Sequence, residues 1–483
     1  MVSSMETTSP GKVTFQTRLR LEDSSRELLD RYALRFSQDL RRLWRCRLKG
    51  LGLSKAKRQF IAGGLTARQF NSIAAQLRGI VKSRKSSFDR ERRTKARRVR
   101  AIQKRLALPP SKGGYTPQVA HQKRRVLGRL QEFLKQARGR KPPIIFGSRK
   151  LWNAQHHLKE NGFASHADWQ TAWREARSAE FFLIGSKDES CGNQSCQYDP
   201  QEKTLTVRLP DELGGILVLP KVVFAYGEAL LERSVKEGIA ISYRFIRKKK
   251  GWYLYATTQA QPGGRCTNRT WGMLGVDLGP NGLAAVETDR AGNPVARKTF
   301  PLPLYHQPKG KARALIGDVA AEIGAWAVRT GKPVALEKLE FEEKKALLRE
   351  RGKAYSRMLS GFAYGALGEA LRSRCFKMGV ETILLNPAQT STIGIVKFAA
   401  QYGLSGDEAA ALALARRAQN FKEALPAGTA LGRPEDRSRH VWKAWQGFGE
   451  ALRRVGRHAF VAARRGSGGR RGYPVFPARA SPA

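Results

Sequence analysis

The region from about residue 272 onward constrains the fold more than any other part of the chain, because its hydrophobic pattern specifies an order of elements. It opens with the apolar run MLGVDLG, continues with LAAVETD and, after the turn DRAGN, with PVARKTF. Short apolar or alternating runs bounded by turn residues predict strands. These three segments are therefore expected to form an antiparallel meander.

The rest of this region alternates between helical and strand patterns. A helix is predicted across residues 315–328, where apolar side chains recur at helical spacing, and the strand PVALEKL follows it. The helix GALGEALRSRCFKMG, the strand ETILLNP and the helix DEAAALALARRAQNF complete the series. The predicted order is βββαβαβα, which is the order of a ribonuclease-H-like domain, in whose sheet the first and fourth strands are neighbours.

Three acidic residues fall on separate elements of this region. Asp277 lies in the first predicted strand, Glu337 ends the fourth and Asp407 opens the last helix. Divalent metal ions that activate water at a phosphodiester need several carboxylate ligands. Because the first and fourth strands would be neighbours, the three side chains can meet at one edge of the sheet, and they are the predicted catalytic and metal-binding residues.

Each acid also has an ordinary structural interpretation. An unpaired charge is costly to bury, so Asp277 within an apolar strand favours a functional role. Glu337 at a strand end could simply be solvated. Asp407 lies in the sequence SGDE at residues 405–408, which is a capping box, and acids stabilise the first turn of any helix. On local grounds both interpretations of Asp407 stand.

The first part of the chain predicts a β-region interrupted by helices. Alternation across residues 12–21 predicts a strand, helical spacing follows from 24 to about 175, and strands return from 181 to 258. The first strand is expected to complete the later β-region, with a helical lobe inserted between them. The expected fold is multidomain α/β, and its predicted domains are residues 1–22 and 176–268 (β-domain), 23–175 (helical lobe), 269–465 (ribonuclease-H-like domain) and 466–483 (disordered tail).

The charge of the chain indicates its class of partner. The 483 residues include 89 Lys and Arg against 40 Asp and Glu, a net charge of +49. Such an excess favours a large polyanion as partner. Residues 82–106 are dense in Arg and Lys, and a helix facing nucleic acid is favoured there over a merely solvated face. Core packing, rather than stacking on bases, is expected of most of the nearby aromatic residues, Trp44, Phe60, Phe70 and Tyr115.

Other features of the sequence exclude several classes. No apolar run approaches the roughly 20 residues of a membrane-spanning helix, and the N-terminus lacks the apolar core of a signal peptide. The five scattered cysteines show no paired CxxC spacing. A cytoplasmic setting, no membrane partner and no zinc are therefore expected.

Several motifs, in order, resemble one protein family. GVDLGPNGLAAVETD, VALEKLEF and LLNPAQTSTIG followed by LSGDEAAALALARRAQNF resemble the three split RuvC motifs of transposon-encoded TnpB proteins and their descendants, the compact type V CRISPR effectors. The stretch from FFLIGSKDESCGNQSCQYD to GWYLYATT resembles the wedge domain of the same group. The resemblance covers roughly residues 141–421, and the first 140 residues match in general character alone.

This resemblance implies an RNA-guided DNA endonuclease. Such a protein binds a guide RNA, unwinds target double-stranded DNA beside a short adjacent motif and hydrolyses phosphodiesters at a RuvC site. Asp277, Glu337 and Asp407 match the acids of the three motifs, which implies two Mg²⁺ ions, with Mn²⁺ able to substitute. It also implies a β-barrel-like wedge domain with an inserted helical recognition lobe, and a monomer is favoured.

One departure from the family pattern and three alternatives remain. Most members carry a CxxC zinc ribbon after the TS of the third motif, whereas here Thr390-Ser391 runs into TIGIVKFAAQYGLS without a cysteine, which suggests a ribbonless branch. An RNA-guided DNA-binding protein that does not cleave, acting in silencing or transposition, is the main alternative. An actin-like or sugar-kinase ATPase is the second alternative, but this sequence lacks the second phosphate loop that those folds need. A plain RNA-binding structural protein is the third, and it would leave the predicted burial of Asp277 unexplained.

Overall fold

The computed structural model describes residues 11–187, 189–279, 282–304, 307–338, 364–425, 445–450 and 452. The described chain divides into two compact units, residues 11–260 and the residues from 261 onward. It is mixed α/β, and its described strands form three sheets. The predicted tail at 466–483 lies outside the described residues. Within them, no helix combines the length and apolar character needed to cross a membrane.

The first unit contains both the helical segment and most of the predicted β-region. Its strands are β1 (Lys12–Arg18), β2 (Glu180–Leu183), β3 (Cys196–Asp199), β4 (Thr204–Arg208), β5 (Ile216–Leu219), β6 (Ser242–Lys248) and β7 (Gly251–Gln259). Its helices are α1 (Asp23–Leu48), α2 (Leu53–Ile61), α3 (Ala67–Leu106), α4 (Pro117–Gln136), α5 (Arg149–Ala154), α6 (His166–Arg177) and α7 (Glu228–Lys236).

The first strand joins strands that lie more than 150 residues later in the chain. β1 pairs antiparallel with β7, and the order of this sheet is β1-β7-β6-β2. Its inner face packs Phe181, Phe245 and Trp252 against Tyr32 of α1 in one hydrophobic core. β3, β4 and β5 form a separate antiparallel sheet. The predicted domain boundaries and the barrel-like character of this region stay predictions.

One helix lies where the sequence pattern predicted strands. α7, with the sequence EALLERSVK, interrupts the region 181–258, so the expectation of strands throughout is wrong there. The local sequence explains the helix, because Glu232 and Lys236 form an ion pair of 3.2 Å at i,i+4 spacing. Leu231 is fully buried in the core and holds the helix against the unit.

The predicted basic helix is part of α3, which is 40 residues long. Thr66 and Gln69 begin it with a capping box. Near its end Ile102 packs against Tyr115 and Leu130 in a small core of its own. Phe60 and Phe70 are also buried, which confirms the packing interpretation for these two residues and Tyr115; Trp44 is partly buried.

The second unit is built on a five-stranded sheet. Its strands are β8 (Leu274–Gly279), β9 (Gly282–Thr288), β10 (Pro294–Pro301), β11 (Val334–Glu337) and β12 (Thr382–Leu385). Its helices are α8 (Lys309–Thr330), α9 (Tyr364–Lys377), α10 (Thr390–Ile393), followed by a π-helix (Gly394–Ala399), and α11 (Gly406–Ala418). The sheet order is β10-β9-β8-β11-β12. The first three strands are antiparallel and β11 is parallel to both β8 and β12, so the expected neighbours, the first and fourth strands, are paired.

Small residues bring α11 very close to the central strand. A Cβ atom placed on Gly275 of β8 would lie 2.1 Å from the carbonyl oxygen of Ala411 and 2.9 Å from the Cβ of Ala415. Glycine inside a strand often marks such a close backbone approach. The alanine-rich face of α11 is buried against the sheet, which fixes where the N-terminus of this helix lies.

Candidate active site

Asp277 lies in the central strand of the five-stranded sheet and is 7% exposed. Its chain neighbours Val276 and Leu278 are buried as well. Val276 is paired with Leu336 of β11, so the last residue of that strand, Glu337, follows directly beside Asp277. The two carboxyl groups are close enough to hydrogen-bond.

Asp407 reaches the same end of β8 from the first turn of α11. A Cβ atom on Gly279 would lie 3.1 Å from Oδ2 of Asp407, and the charge of Asp407 acts on Asp277. The predicted capping box, Ser405 with Glu408, is present. Ser405 Oγ accepts from the N–H of Glu408 at 3.3 Å, and Glu408 Oε2 accepts from the N–H of Ser405 at 2.8 Å. The carboxylate of Asp407 is therefore not part of the cap.

The surroundings of Asp277 disfavour its ionised form. Burial raises the pKa of this carboxyl well above its ordinary value, and the negative charges of Glu337 and Asp407 raise it further. A hydrogen bond from the backbone of Leu278 lowers the pKa by less. The site thus gathers negative charge that a cation would relieve.

Two residues near Glu337 are not indicated by the sequence. Thr390 Oγ1 lies 3.4 Å from Oε1 of Glu337, although its shorter contact, 2.8 Å, is to the carbonyl oxygen of Pro387. Arg417, near the end of α11, donates a hydrogen bond to the carbonyl of Asn386. Burial lowers the pKa of Arg417, while the charge of Glu337 acts in the opposite direction.

The fold alone reveals these two residues. Nothing in the local sequence separates Arg417 from its neighbour Arg416, which instead binds Glu423 at 2.5 Å. Thr390 belongs to a motif in the sequence, but nothing in that motif marks it as a neighbour of Glu337. Contacts of this kind depend on how β12 and α11 meet the end of β11, and no periodicity in the sequence encodes that.

The three acids are brought together, but they are not arranged as a finished metal site. In the described part of the chain, no group of three or more His, Cys, Asp or Glu side chains is placed ready to hold a metal ion. Carboxylate oxygens are nevertheless the ligands that Mg²⁺ and Mn²⁺ prefer. The chemistry of the donor set therefore fits such an ion.

Comparison with known proteins gives no family assignment. No protein-family model matches the sequence, and no curated protein matches it. Among solved structures, similarity is found to a chain in the cryo-EM structure of a CRISPR-Cas12f ternary complex. The two chains are 11% identical, the match covers 84% of this chain and 98% of that chain, and the TM-score is 0.21. A TM-score of this size carries no argument about fold or function.

Proposed function

We propose that this protein is an RNA-guided DNA endonuclease with a metal-dependent RuvC site formed by Asp277, Glu337 and Asp407. One observation carries the proposal: Asp277 is buried in the central strand beside Glu337 and within reach of the charge of Asp407. Burying an acid among other acids costs folding free energy. Binding of divalent cations at a phosphodiester would be the function that accounts for this cost.

The sheet topology supports the same proposal. The order β10-β9-β8-β11-β12, with its antiparallel meander and two parallel strands, is the order expected of a ribonuclease-H-like sheet. The proposed nuclease domain spans residues 269–465, and the proposed wedge domain with its inserted lobe comprises the residues before it. The proposed setting is cytoplasmic, and a monomer is favoured.

In the proposed chemistry the three acids share one task, which is to hold the metal ion. Asp277, Glu337 and Asp407 would hold Mg²⁺, which supplies water activation and stabilises charge on the leaving oxygen when bound. The strand backbone holds Asp277 and Glu337 side by side, and the capping box holds the first turn of α11, from which Asp407 extends. Positioning by rigid elements of this kind preorganises a catalytic site.

The proposed partners are a guide RNA and target double-stranded DNA. The net charge of +49 supports a polyanionic partner. In the helical segment, cations are held against aromatic rings: Lys95 Nζ lies 3.1 Å from the ring centroid of Phe133, and Arg105 lies 4.2 Å from that of Tyr115. Contacts of this kind keep basic side chains in place on a surface that faces nucleic acid.

The experiment has two parts. RNA that copurifies with the expressed protein is sequenced, and a defined scaffold-plus-guide species is expected. That RNA, retargeted to a plasmid carrying a randomised adjacent sequence, is then expected to direct Mg²⁺-dependent cleavage by the wild type and none by Asp277→Ala. Random RNA fragments, or full cleavage by the variant, would contradict the proposal.

A second function is favoured by one specific observation. Asp407 is exposed, and the three acids are not arranged as a finished metal site within the described residues. This arrangement supports an RNA-guided DNA-binding protein that does not cut. Guide-dependent DNA binding without nicking in Mg²⁺, Mn²⁺ or Co²⁺ would select this function over the nuclease.

A further inference from the structure

The outer face of the sheet β1-β7-β6-β2 carries two tyrosines that the core of the first unit does not use. Along β7, Trp252, Leu254 and Ala256 are buried, whereas Tyr253 and Tyr255 between them are partly exposed. Side chains alternate between the two faces of a strand, so both rings lie on the outer face. Neither ring belongs to the hydrophobic core.

On the β6 side Ile246 is opposite Tyr253 and Arg244 is opposite Tyr255, and on the β1 side both neighbours are polar or basic. In the register of β1 and β7, Gln16 is opposite Tyr255 and Arg18 is opposite Tyr253, and residues directly opposite share a face. Gln16 and Arg18 are both exposed. Lys248 of β6 contacts both tyrosines: its ammonium lies 4.5 Å from the ring centroid of Tyr253 and donates a hydrogen bond to the hydroxyl of Tyr255. One positive charge thus lies beside the ring of Tyr253 and at the hydroxyl of Tyr255.

The charge of this face suits a polyanion. Lys249 and Lys250 follow Lys248 in the exposed turn between β6 and β7. Glu180, an acid of the edge strand β2, forms an ion pair of 3.3 Å with Arg244 and is offset by it. The exposed lysines and Arg18 therefore leave the face with a positive charge.

We infer that this face binds unpaired nucleotides, with one base stacked on Tyr253, one on Tyr255, and phosphates beside Lys248 and Arg18. Proteins hold single strands by combining stacking on aromatic rings with cations along the backbone. Sheet faces that carry aromatic residues also do this in RNA-binding domains. The site lies in the first unit and needs none of the metal chemistry proposed for the second.

The spacing of the rings decides between paired and unpaired nucleotides. Residues i and i+2 of an antiparallel strand are about 7 Å apart, roughly twice the 3.4 Å rise between stacked bases of one strand. Each ring can therefore take one base only where neighbouring bases are unstacked from each other. A duplex keeps its base faces stacked inside and offers nothing to these rings.

The test compares two double variants of the full-length protein. Tyr253→Leu with Tyr255→Leu removes the rings and keeps apolar side chains on the strand, while Tyr253→Phe with Tyr255→Phe keeps the rings. Binding of a fluorescent 12-nucleotide unstructured RNA is measured in EDTA, where no cleavage occurs. The leucine variant is expected to bind at least about fivefold more weakly and the phenylalanine variant within about twofold of wild type. Thermal unfolding of both variants verifies that they are folded.

Salt dependence separates stacking from the charge of the whole chain. Both double variants remove the hydroxyl that accepts from Lys248 and neither removes a cation, so the defect of the leucine variant relative to the phenylalanine variant is expected to be the same factor at every salt concentration. Lys248→Gln is expected to reduce the slope of log K against log salt by about one. An effect of the leucine variant on the slope alone would overturn the inference.

Crosslinking of RNA to the wild-type protein tests the same site without depending on whether the variants fold. RNA containing 4-thiouridine is crosslinked by ultraviolet light, and crosslinks are expected in the peptide that contains residues 251–259.

Binding of single-stranded RNA and DNA alike supports a site for any unpaired nucleotide, and binding of RNA alone supports one that also contacts the ribose hydroxyl. No crosslink in β7, equal affinity of the two double variants, or equal affinity for duplex RNA would each overturn the inference, and none of these results bears on cleavage.

Discussion

An interior strand in each unit departs from the usual match between the chemistry of a side chain and its burial, and the two departures are opposite. In the second unit β8 buries an acid, Asp277, between Val276 and Leu278. In the first unit β7 leaves Tyr253 and Tyr255 outside the core that buries Trp252. Departures of this kind are expected at functional sites, where a side chain serves a ligand at a cost in folding free energy.

The two departures differ in cost. Keeping a buried carboxylate ionised without a partner of opposite charge costs several kcal/mol, and the raised pKa of Asp277 reflects that cost, whereas leaving an aromatic ring partly exposed forgoes at most about 1.5–3 kcal/mol of burial. The acid is therefore the stronger sign of function. The tyrosines are informative as a pair, together with the cations that flank them.

The largest expected effect tests the acid directly, with Asp277→Asn. Removing the carboxylate is expected to lower guided DNA cleavage by at least about a hundredfold, since it removes a proposed metal ligand. The same change is expected to raise stability by about 1 kcal/mol, because it removes a buried acid whose pKa is raised by burial and by two neighbouring acids. Cleavage is measured in Mg²⁺ and thermal unfolding in EDTA, where bound metal cannot stabilise the wild type. A loss of stability would mean that Asp277 serves the fold.

A second buried acid sharpens the comparison, because it has a partner. Glu287 forms an ion pair of 2.6 Å with Lys332 and accepts a hydrogen bond of 2.8 Å from Trp326 Nε1. Lys332→Met leaves the buried carboxylate of Glu287 without its cation, so it is expected to lower the free energy of unfolding by about 3–5 kcal/mol. The measurement is denaturant unfolding followed by the fluorescence of Trp326 and the other tryptophans.

The matched control for this prediction is an exposed pair in the same unit. Lys298 and Glu322 form an ion pair in which both side chains are 51% exposed. Lys298→Met is expected to change stability by about 0.5 kcal/mol or less. Equal effects of the two lysine variants would show that burial does not determine the cost of an unpaired acid here, and the burial of Asp277 would then no longer indicate a function.

The difference between the two units also explains what the sequence could predict. The order of elements from residue 272 onward and the neighbouring positions of β8 and β11 followed from apolar runs and turn residues. Asp277 stood out because a charge interrupts an apolar run. The outward tyrosines did not stand out, because GWYLYATT alternates as any half-buried strand does, and only the pairing with β1 places Gln16 and Arg18 beside them.

Other features depended on contacts between elements distant in the sequence. Arg417 approaches Glu337 because α11 crosses the sheet towards the end of β12, where Arg417 contacts Asn386. Helix α7 is different, because its i,i+4 ion pair is visible in the sequence, but its nine residues lie in a region whose other runs indicate strands. The capping box of Ser405 and Glu408 was predicted from its spacing, whereas the approach of the Asp407 carboxylate to Gly279 and Asp277 depends on how α11 packs on the sheet.

The smallest expected effect tests how Asp407 is placed. Gly275→Ala puts a Cβ atom 2.1 Å from the carbonyl oxygen of Ala411, so α11 must shift away from β8. Overpacking of this kind is expected to lower the free energy of unfolding by about 1–3 kcal/mol, and guided cleavage is expected to fall, because Asp407 moves with the helix. Gly317→Ala in α8 is the control, since a Cβ atom there meets nothing within 4 Å and alanine favours the helix by up to about 1 kcal/mol. If Gly275→Ala lowers stability but leaves cleavage unchanged, close packing of α11 does not set the position of the third acid, and the proposed site reduces to Asp277 and Glu337.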